Sequence, residues 1–114
     1  MRKPKYLILA LSLAATSLAW AGSGTGLVTG FVTGISNGTV VFLLSTQAQS
    51  NTPSCNTTQR FAMSANDPRY KETVAGVMSA QASGTPVYAV GLGTCTYLTN
   101  SEDLSYVCVG GIAC

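Results

Sequence analysis

Hydrophobic residues in this 114-residue chain fall into short runs separated by turn-forming residues. Five of these runs are rich in β-branched and aromatic residues, a composition typical of strands. The five predicted strands are Leu27 to Ile35, Thr39 to Thr46, Arg60 to Ser64, Pro86 to Leu92 and Leu104 to Val109. Ser36-Asn37-Gly38 predicts a hairpin turn between the first two, because Asn and Gly tolerate positive φ.

A helix is predicted between the third and fourth strands. Asp67 can cap its start, Pro68 suits its first position, and Gly84 suits the position just beyond its end. The hydrophobic residues at three- and four-residue spacing, which form its predicted buried stripe, are Tyr70, Val74, Val77 and Met78. The order β-β-β-α-β-β predicts a mainly β fold, specifically an OB-like five-stranded Greek-key barrel.

Glycines recur every fourth residue through the first strand, at Gly26, Gly30, Gly34 and Gly38. On a strand this spacing places them on one face. Strand glycines mark bends, bulges or the close approach of another group, and we favour bends, because the first strand of such a barrel must curl through both halves of the sheet. A ligand approaching that bare face is the other interpretation. The preceding residues 22–26 are predicted to be a flexible leader, and residues 47–59 a polar loop.

The pattern at the start of the chain differs from the rest. Arg2, Lys3 and Lys5 precede an apolar run from Leu7 to Leu18, and Ala19-Trp20-Ala21 forms a small-x-small cleavage motif. The run is too short to cross a bilayer as a stable helix. Residues 1–21 are therefore predicted to be a secretory signal peptide, leaving residues 22–114 as one domain in the periplasm or secreted.

Charge is scarce in the predicted mature domain. Its three basic residues face four acidic ones, a net charge of −1. These seven residues are Arg60, Arg69, Lys71, Asp67, Glu72, Glu102 and Asp103. Nucleic-acid binding is disfavoured, because several basic residues are needed to neutralise phosphates. No apolar run in this domain is long enough to predict a membrane span.

The four cysteines are Cys55, Cys95, Cys108 and Cys114, and the chain contains no histidine. Without a C-x-x-C pair or histidine, a zinc site is not expected. Export to an oxidising compartment favours two disulfides instead. Four cysteines allow three pairings, and the spacing alone leaves all three open.

Two sequence patterns raise the question of catalysis. Residues Gly34 to Gly38 match G-x-S-x-G, but their serine lies between two strands and no histidine base exists. Glu102 and Asp103 are adjacent and predicted to lie in a turn, exposed to water, where nothing would separate their pKa values for acid/base work. We therefore expect no catalytic residue, no cofactor site and no metal site.

Four aromatic residues lie on or beside predicted strands, namely Phe61, Tyr88, Tyr97 and Tyr106. Aromatic side chains on an OB-type barrel can stack on bases or sugars. Core packing or cross-strand pairing is the favoured role for each of the four. Tyr97, close to the loop after Cys95, is the one expected to be exposed, and it is the candidate ligand-facing residue.

Three pairs of segments together resemble a group of small exported bacterial proteins with Cys-Asn and Gly-Thr-Cys motifs. The segments are Pro53-Ser54-Cys55-Asn56 with Arg60-Phe61-Ala62, Ala80-Gln81-Ala82-Ser83-Gly84 with the following Val-Tyr strand, and Gly91-Leu92-Gly93-Thr94-Cys95 with Ser101-Glu102-Asp103-Leu104-Ser105-Tyr106. More distantly, the chain resembles the OB-fold B subunits of AB5-type toxins, such as the subtilase and pertussis-like groups. The resemblance favours a Cys55–Cys95 bridge, which leaves Cys108–Cys114 as the second.

The toxin B subunits form rings and bind host glycans, but none of their sugar-contacting residues can be matched here. The sequence thus predicts an exported, non-enzymatic binding module, a homo-oligomer resembling a toxin B subunit, with a glycan or protein as ligand. The alternative hypothesis is a periplasmic structural or accessory protein that binds a partner chain.

Overall fold

The computed structural model describes residues 21–45, 50–112 and 114. The secondary structure of this part of the chain comprises β1 (Ser23–Gly26), β2 (Val28–Ile35), β3 (Thr39–Leu44), β4 (Arg60–Met63), α1 (Tyr70–Ser83), β5 (Val87–Gly91) and β6 (Glu102–Val109). The prediction of a mainly β fold with one helix is confirmed. The predicted signal peptide lies outside the described residues except for Ala21, as does Thr46 at the predicted end of the second strand.

The described strands form one sheet in the order β1-β5-β6-β4-β3-β2. All neighbouring strands are antiparallel except β4 and β6, which are parallel. The structure has six strands in its described part and not the five predicted, because residues of the predicted leader form β1, which Leu27 separates from β2. The backbone oxygen of Leu27 accepts a hydrogen bond from the Ser45 nitrogen at 2.7 Å. On one side of Leu27 the chain pairs with β5, and on the other side with β3.

β1 replaces the predicted flexible leader. Its residues pair with β5 from Ser23 opposite Val90 to Gly26 opposite Val87. Ser23 also exchanges two backbone hydrogen bonds with Ser50, of 3.0 and 2.8 Å. Two of its four residues are glycines, which have low strand propensity, so the pairing depends on backbone groups that a side-chain pattern does not report.

The first hairpin follows the sequence prediction. Ser36 and Asn37 have positive φ values of 30° and 63°, and Gly38 has φ of 80°. β2 pairs with β3 across two register shifts, one between Val28 and Gly30 and one between Val32 and Ile35. Such irregularities bend a strand, and they fall in the region of the glycine repeat.

The core is one cluster of buried side chains from the strands together with Val77 and Ala80 of α1. Its largest buried hydrophobic side chains are Phe42, Phe61, Leu44, Met63 and Leu104. The rings of Phe42 and Phe61 are cross-strand partners with centroids 5.7 Å apart. Two Phe rings at this spacing contribute beyond their buried area, so β3 and β4 are held together by side chains as well as by their backbones.

Helix α1 begins at Tyr70, two residues after the predicted start, and ends at Ser83; it is followed by Gly84, whose φ of 65° fits the left-handed cap. Asp67 does not cap the helix; its carboxylate accepts hydrogen bonds from Arg69 instead. Val77 is buried as predicted, and Tyr70 and Val74 are partly buried and pack against the core. Of the predicted stripe only Met78 is exposed, whereas Thr73 is buried, and this polar member could not be found by hydrophobicity.

Two disulfides close the loops around the sheet. Cys55, before β4, is joined to Cys95, after β5, with Cα atoms 6.2 Å apart. Cys108 in β6 is joined to Cys114. This is the pairing that the resemblance favours. No helix in the described part of the chain is both long and apolar enough to cross a membrane.

Candidate functional site

The structure changes the ranking of the four candidate aromatic residues. Tyr106 is 43% exposed, whereas Tyr97 and Tyr88 are half-buried and Phe61 lies in the core. The backbone nitrogen of Tyr97 donates to Asp103 Oδ1 at 3.1 Å. Burial is the main cause that raises the pKa of the Tyr97 hydroxyl, and the charges of Asp67 and Asp103 act in the same direction. Tyr97 thus lies near Asp67, Asp103 and Arg69, and Tyr106 is the most exposed of the four aromatic residues.

Glu102 and Asp103 are buried, which contradicts the prediction that they lie in a solvated turn. Their exposed fractions are 0% and 1%. They form the start of β6, where Glu102 pairs with Phe61 and Asp103 with Ala62 of the parallel strand β4. Buried carboxylates need hydrogen-bond partners, and here the partners are backbone and hydroxyl groups that the fold brings from elsewhere in the chain.

Asp103 organises the loop that follows β5. Its carboxylate accepts hydrogen bonds from the Thr94 and Thr96 hydroxyls, both at 2.6 Å, and from the Thr96 and Tyr97 nitrogens at 2.9 and 3.1 Å. Cys95 lies in the same loop and carries the bridge to Cys55. Both oxygens of the Asp103 carboxylate therefore accept hydrogen bonds from the protein itself, and the role of this residue is structural.

Glu102 has fewer partners than Asp103. Its Oε2 accepts hydrogen bonds from the backbone nitrogens of Gly22 at 2.8 Å and Gly93 at 3.0 Å. Its Oε1 is buried and accepts none from the described residues. Burial is the main cause that raises the pKa of this carboxyl, the two backbone hydrogen bonds oppose the rise, and Asp103 adds to it.

Glycine makes room for the Glu102 side chain. A Cβ added to Gly91 would overlap Oε2, Cδ and Cγ of Glu102, and one added to Gly22 would overlap Oε1. The sequence carries a signal for this packing, since the Gly-x-Gly of Gly91 and Gly93 precedes the acidic pair by nine residues or more. Strand glycines can mark the close approach of another group, and the group here is a carboxylate.

A shallow groove runs between the start of the helix and β6, and we call it the α1–β6 groove. Its volume is about 200 Å³. The helical side contributes Arg69, Glu72 and Gly76, and the strand contributes Ser105, Tyr106 and Val109. A Cβ added to Gly76 would lie 3.5 Å from Val109 Cγ2, an ordinary van der Waals contact, so a larger side chain at this position would fill part of the groove. The groove combines an exposed aromatic ring with both signs of charge.

Arg69 is held in place at one end of this groove. Its Nε and Nη2 donate to the two carboxylate oxygens of Asp67 at 3.0 and 2.8 Å, and its Nη1 donates to the backbone oxygen of Ser105. Ser105 is the extra residue in β6, since Val90 pairs with Tyr106 and Gly91 with Leu104. A bulge re-aims backbone and side-chain groups, and this one turns a carbonyl toward Arg69.

The two hydrogen bonds between Arg69 and Asp67 also set the charges at this end of the groove. The hydrogen bonds from Arg69 lower the pKa of the Asp67 carboxyl, and the same pair raises the pKa of Arg69. Both groups stay charged at neutral pH. The Arg69 side chain nevertheless remains half exposed at 51%, so it can still donate to a bound molecule.

Two other depressions lie on the described surface. One, of about 300 Å³, lies beside Tyr88 and includes Ile112 and Cys114 near the chain end. The other, of about 200 Å³, lies over Phe31 and Val32 on the β2–β3 face and is bordered by Arg60. Neither joins an exposed aromatic ring to charges of both signs. No cluster of acidic, histidine or cysteine side chains that could hold a metal ion occurs within the described ranges.

Comparison of the chain with known protein families, with curated proteins and with solved structures gives no match. The function of the protein must therefore be inferred from the geometry of its own chain.

Proposed function

We propose that this protein is an exported, non-enzymatic binding module that binds a glycan through the α1–β6 groove. Tyr106 carries this proposal, since it is the exposed aromatic residue that lies beside both Arg69 and Glu72. A tyrosine offers an apolar ring face with a polar tip. A sugar offers the matching surface, with C–H groups on one face and hydroxyls around the ring.

The groove's size supports a small ligand group. Sites for drug-sized molecules measure about 300–1,000 Å³, whereas this groove measures about 200 Å³. One sugar ring is therefore the unit that we expect it to hold. Arg69 would donate to ring hydroxyls and Glu72 would accept from them, while Tyr106 packs on the ring face.

We further propose that the sheet is an OB-type barrel. The strands at the two ends of the sheet order, β1 and β2, are consecutive in the chain and separated only by Leu27. Counted as one bent strand, they would give five strands with the first strand at both ends of the order. The helix between β4 and β5 and the parallel pairing of β4 with β6 are consistent with this topology.

A glycan array with the purified exported protein tests the binding proposal. We expect selective binding that Tyr106→Ala lowers about fivefold or more, since loss of a stacked aromatic group costs about 1–3 kcal/mol. Leu92→Ala is the matched control, because Leu92 is also exposed but lies outside the groove. Binding to no glycan, or binding that Tyr106→Ala leaves unchanged, would contradict the proposal.

One observation favours the alternative of partner-chain binding. β2 is the last strand in the sheet order, and its Val32 is 52% exposed. A terminal strand with an apolar residue is a surface to which another chain can add. The molar mass from light scattering after size-exclusion chromatography tests whether the β2 edge binds another chain. Self-association that Val32→Lys abolishes and Met78→Lys does not would assign this edge to an oligomer or partner interface.

A further inference from the structure

The buried carboxylate of Glu102 has an unusual shortage of positive charge around it. Within the described residues the only ion pair is between Arg69 and Asp67. The neighbouring charge is that of Asp103, which has the same sign. A buried carboxylate without a cation is unfavourable, because two neutral hydrogen bonds replace only part of the hydration it loses. If the only task were to accept two backbone hydrogen bonds, a neutral glutamine would perform it without this cost.

Gly22 presents its backbone nitrogen to this carboxylate at 2.8 Å. The residue is fixed in position, since its carbonyl accepts a hydrogen bond from the Gly91 nitrogen at 2.8 Å and the following Ser23 pairs with Ser50. Gly22 is buried, whereas Ala21 is exposed. The chain therefore passes from solvent into the fold at the peptide bond between these two residues.

A separate observation marks the same bond. The Ala19-Trp20-Ala21 motif predicts cleavage immediately after Ala21. The cleavage motif and the contact between Glu102 and Gly22 are independent observations, because the first comes from residues 19–21 and the second from the folded structure. Both nevertheless point to the nitrogen of Gly22.

We propose that a signal peptidase hydrolyses the Ala21–Gly22 bond and that the new α-ammonium of Gly22 binds the buried Glu102 carboxylate as an ion pair. Water adds across the C–N bond, Ala21 takes the carboxylate, and Gly22 takes the amine, which is protonated at neutral pH. The peptide nitrogen has one N–H, and the ammonium has three. One can keep the existing bond to Oε2, and another is available for Oε1, which lies against Gly22.

The ion pair would couple processing to stability. Before cleavage Glu102 receives only a neutral donor from Gly22, and after cleavage it receives a full charge at the same place. Cleavage of the Ala21–Gly22 bond thus stabilises the folded mature chain. This inference rests on the export part of the proposed function and is independent of the ligand.

Export of the full-length protein from a bacterial host provides the test. A second version carries one alanine inserted after Ala21, so that its mature chain begins one residue earlier and Gly22 keeps a peptide nitrogen. Intact mass fixes each start. Each protein is then acylated under limiting conditions at neutral pH, and the modification of the α-amine is compared with that of Lys71, an exposed lysine in the same molecule.

We expect the Gly22 amine to be acylated at least about tenfold more slowly than the amine of the longer chain, since one pKa unit changes the free-base fraction tenfold. Glu102→Gln should remove this protection in the Gly22 chain and change nothing in the longer one. A mature start other than Gly22, or equal acylation of the two amines, would overturn the inference. Protection that survives in folded Glu102→Gln would also overturn it, because burial alone would then be the cause.

If Glu102→Gln fails to fold, the pH dependence of acylation in the two unsubstituted chains decides the matter. An ion pair raises the pKa of the Gly22 amine above that of the longer chain's amine, whereas burial alone lowers it, and a lowered pKa would overturn the inference. A chain that is exported and processed but binds no glycan would refute the ligand proposal and leave this inference intact.

Discussion

Gly91 is the position at which the packing of the buried Glu102 can be tested most directly. A Cβ at Gly91 would overlap Oε2, Cδ and Cγ of Glu102. These are atoms of a fully buried side chain, so they cannot move aside into solvent. The φ of Gly91 is not in the positive range, and alanine is therefore compatible with its backbone. The effect of Gly91→Ala on stability therefore reports steric overlap with Glu102 and not backbone strain.

The expected cost has two parts. Overpacking of a dense interior costs about 1–3 kcal/mol. Displacing the carboxylate also weakens its hydrogen bonds to Gly22 and Gly93, each of a charged type worth about 1.5–3 kcal/mol when lost. With partial relaxation we expect a total of about 3 kcal/mol. In a domain of this size that lowers Tm by roughly 12–24 °C.

Gly30 supplies a matched control on another strand. It also lacks a positive φ, and nothing lies within 4 Å of the position where its Cβ would be. Gly30→Ala should leave stability within about 1 kcal/mol of the unsubstituted chain, or raise it, because alanine restricts the unfolded state. Thermal unfolding followed by circular dichroism under non-reducing conditions measures both variants.

Combining Gly91→Ala with Glu102→Ala completes the experiment, because removing the carboxylate opens space for the new methyl group. The double variant should be more stable than the sum of the single effects by at least about 1 kcal/mol, as expected for residues in contact. Equal Tm values for Gly91→Ala and Gly30→Ala, or strict additivity in the double variant, would refute the packing argument.

Three further outcomes are expected. In the chain with a peptide nitrogen at Gly22, burial raises the pKa of Glu102 above its ordinary 4.5, so between the unfolded and the folded pKa the folded state holds a proton that the unfolded state has lost. Raising the pH through this window should therefore lower the free energy of unfolding. Urea titrations of the inserted-alanine protein at several pH values should show this decrease, and Glu102→Gln should remove it. Replacing both cysteines of the Cys55–Cys95 bridge by serine should cost about 4 kcal/mol against about 2 for the C-terminal bridge, since the sequence separations are 40 and 6; equal losses in denaturant unfolding would contradict the loop-entropy account. Val77→Ala should cost about 2 kcal/mol and Met78→Ala less than about 0.5, because only Val77 is buried, and the reverse order of Tm values would contradict this assignment of the helix face.

Local signals explain the parts of the fold that could be predicted from the sequence. The turn at Ser36 to Gly38 and the helix end at Gly84 each depend on residues that adopt positive φ. The runs that became β3 and β5 are dominated by residues with high strand propensity. These elements are determined within a few residues, so a single sequence contains the information.

Elements determined by distant partners were missed. β1 has the sequence Ser-Gly-Thr-Gly and becomes a strand because β5, more than sixty residues away, offers backbone groups to it. The buried face of α1 passes through Thr73, since its direction is set by the strands it packs against. The bulge at Ser105, on which the α1–β6 groove depends, results from pairing between β5 and β6. None of these features has a local sequence signal.

The largest error concerned Glu102 and Asp103, and its cause is general. Acidic residues are rarely buried unless they are paired or hydrogen-bonded, so a turn was the reasonable prediction. Their partners come from Gly22, Gly93 and the loop of Thr94 to Tyr97. Such partners become visible only once the chain is folded.

The two buried carboxylates also connect the separate parts of this molecule. Glu102 fixes Gly22 at the start of β1, and Asp103 fixes the loop that carries both Cys95 and Tyr97. A buried polar group is costly unless its partners are in place, so each carboxylate favours one arrangement of the segments that donate to it. Hydrophobic packing alone tolerates small shifts of a loop or a strand end, but these hydrogen bonds do not. We infer that Glu102 and Asp103 select the register of β1 and the position of the loop.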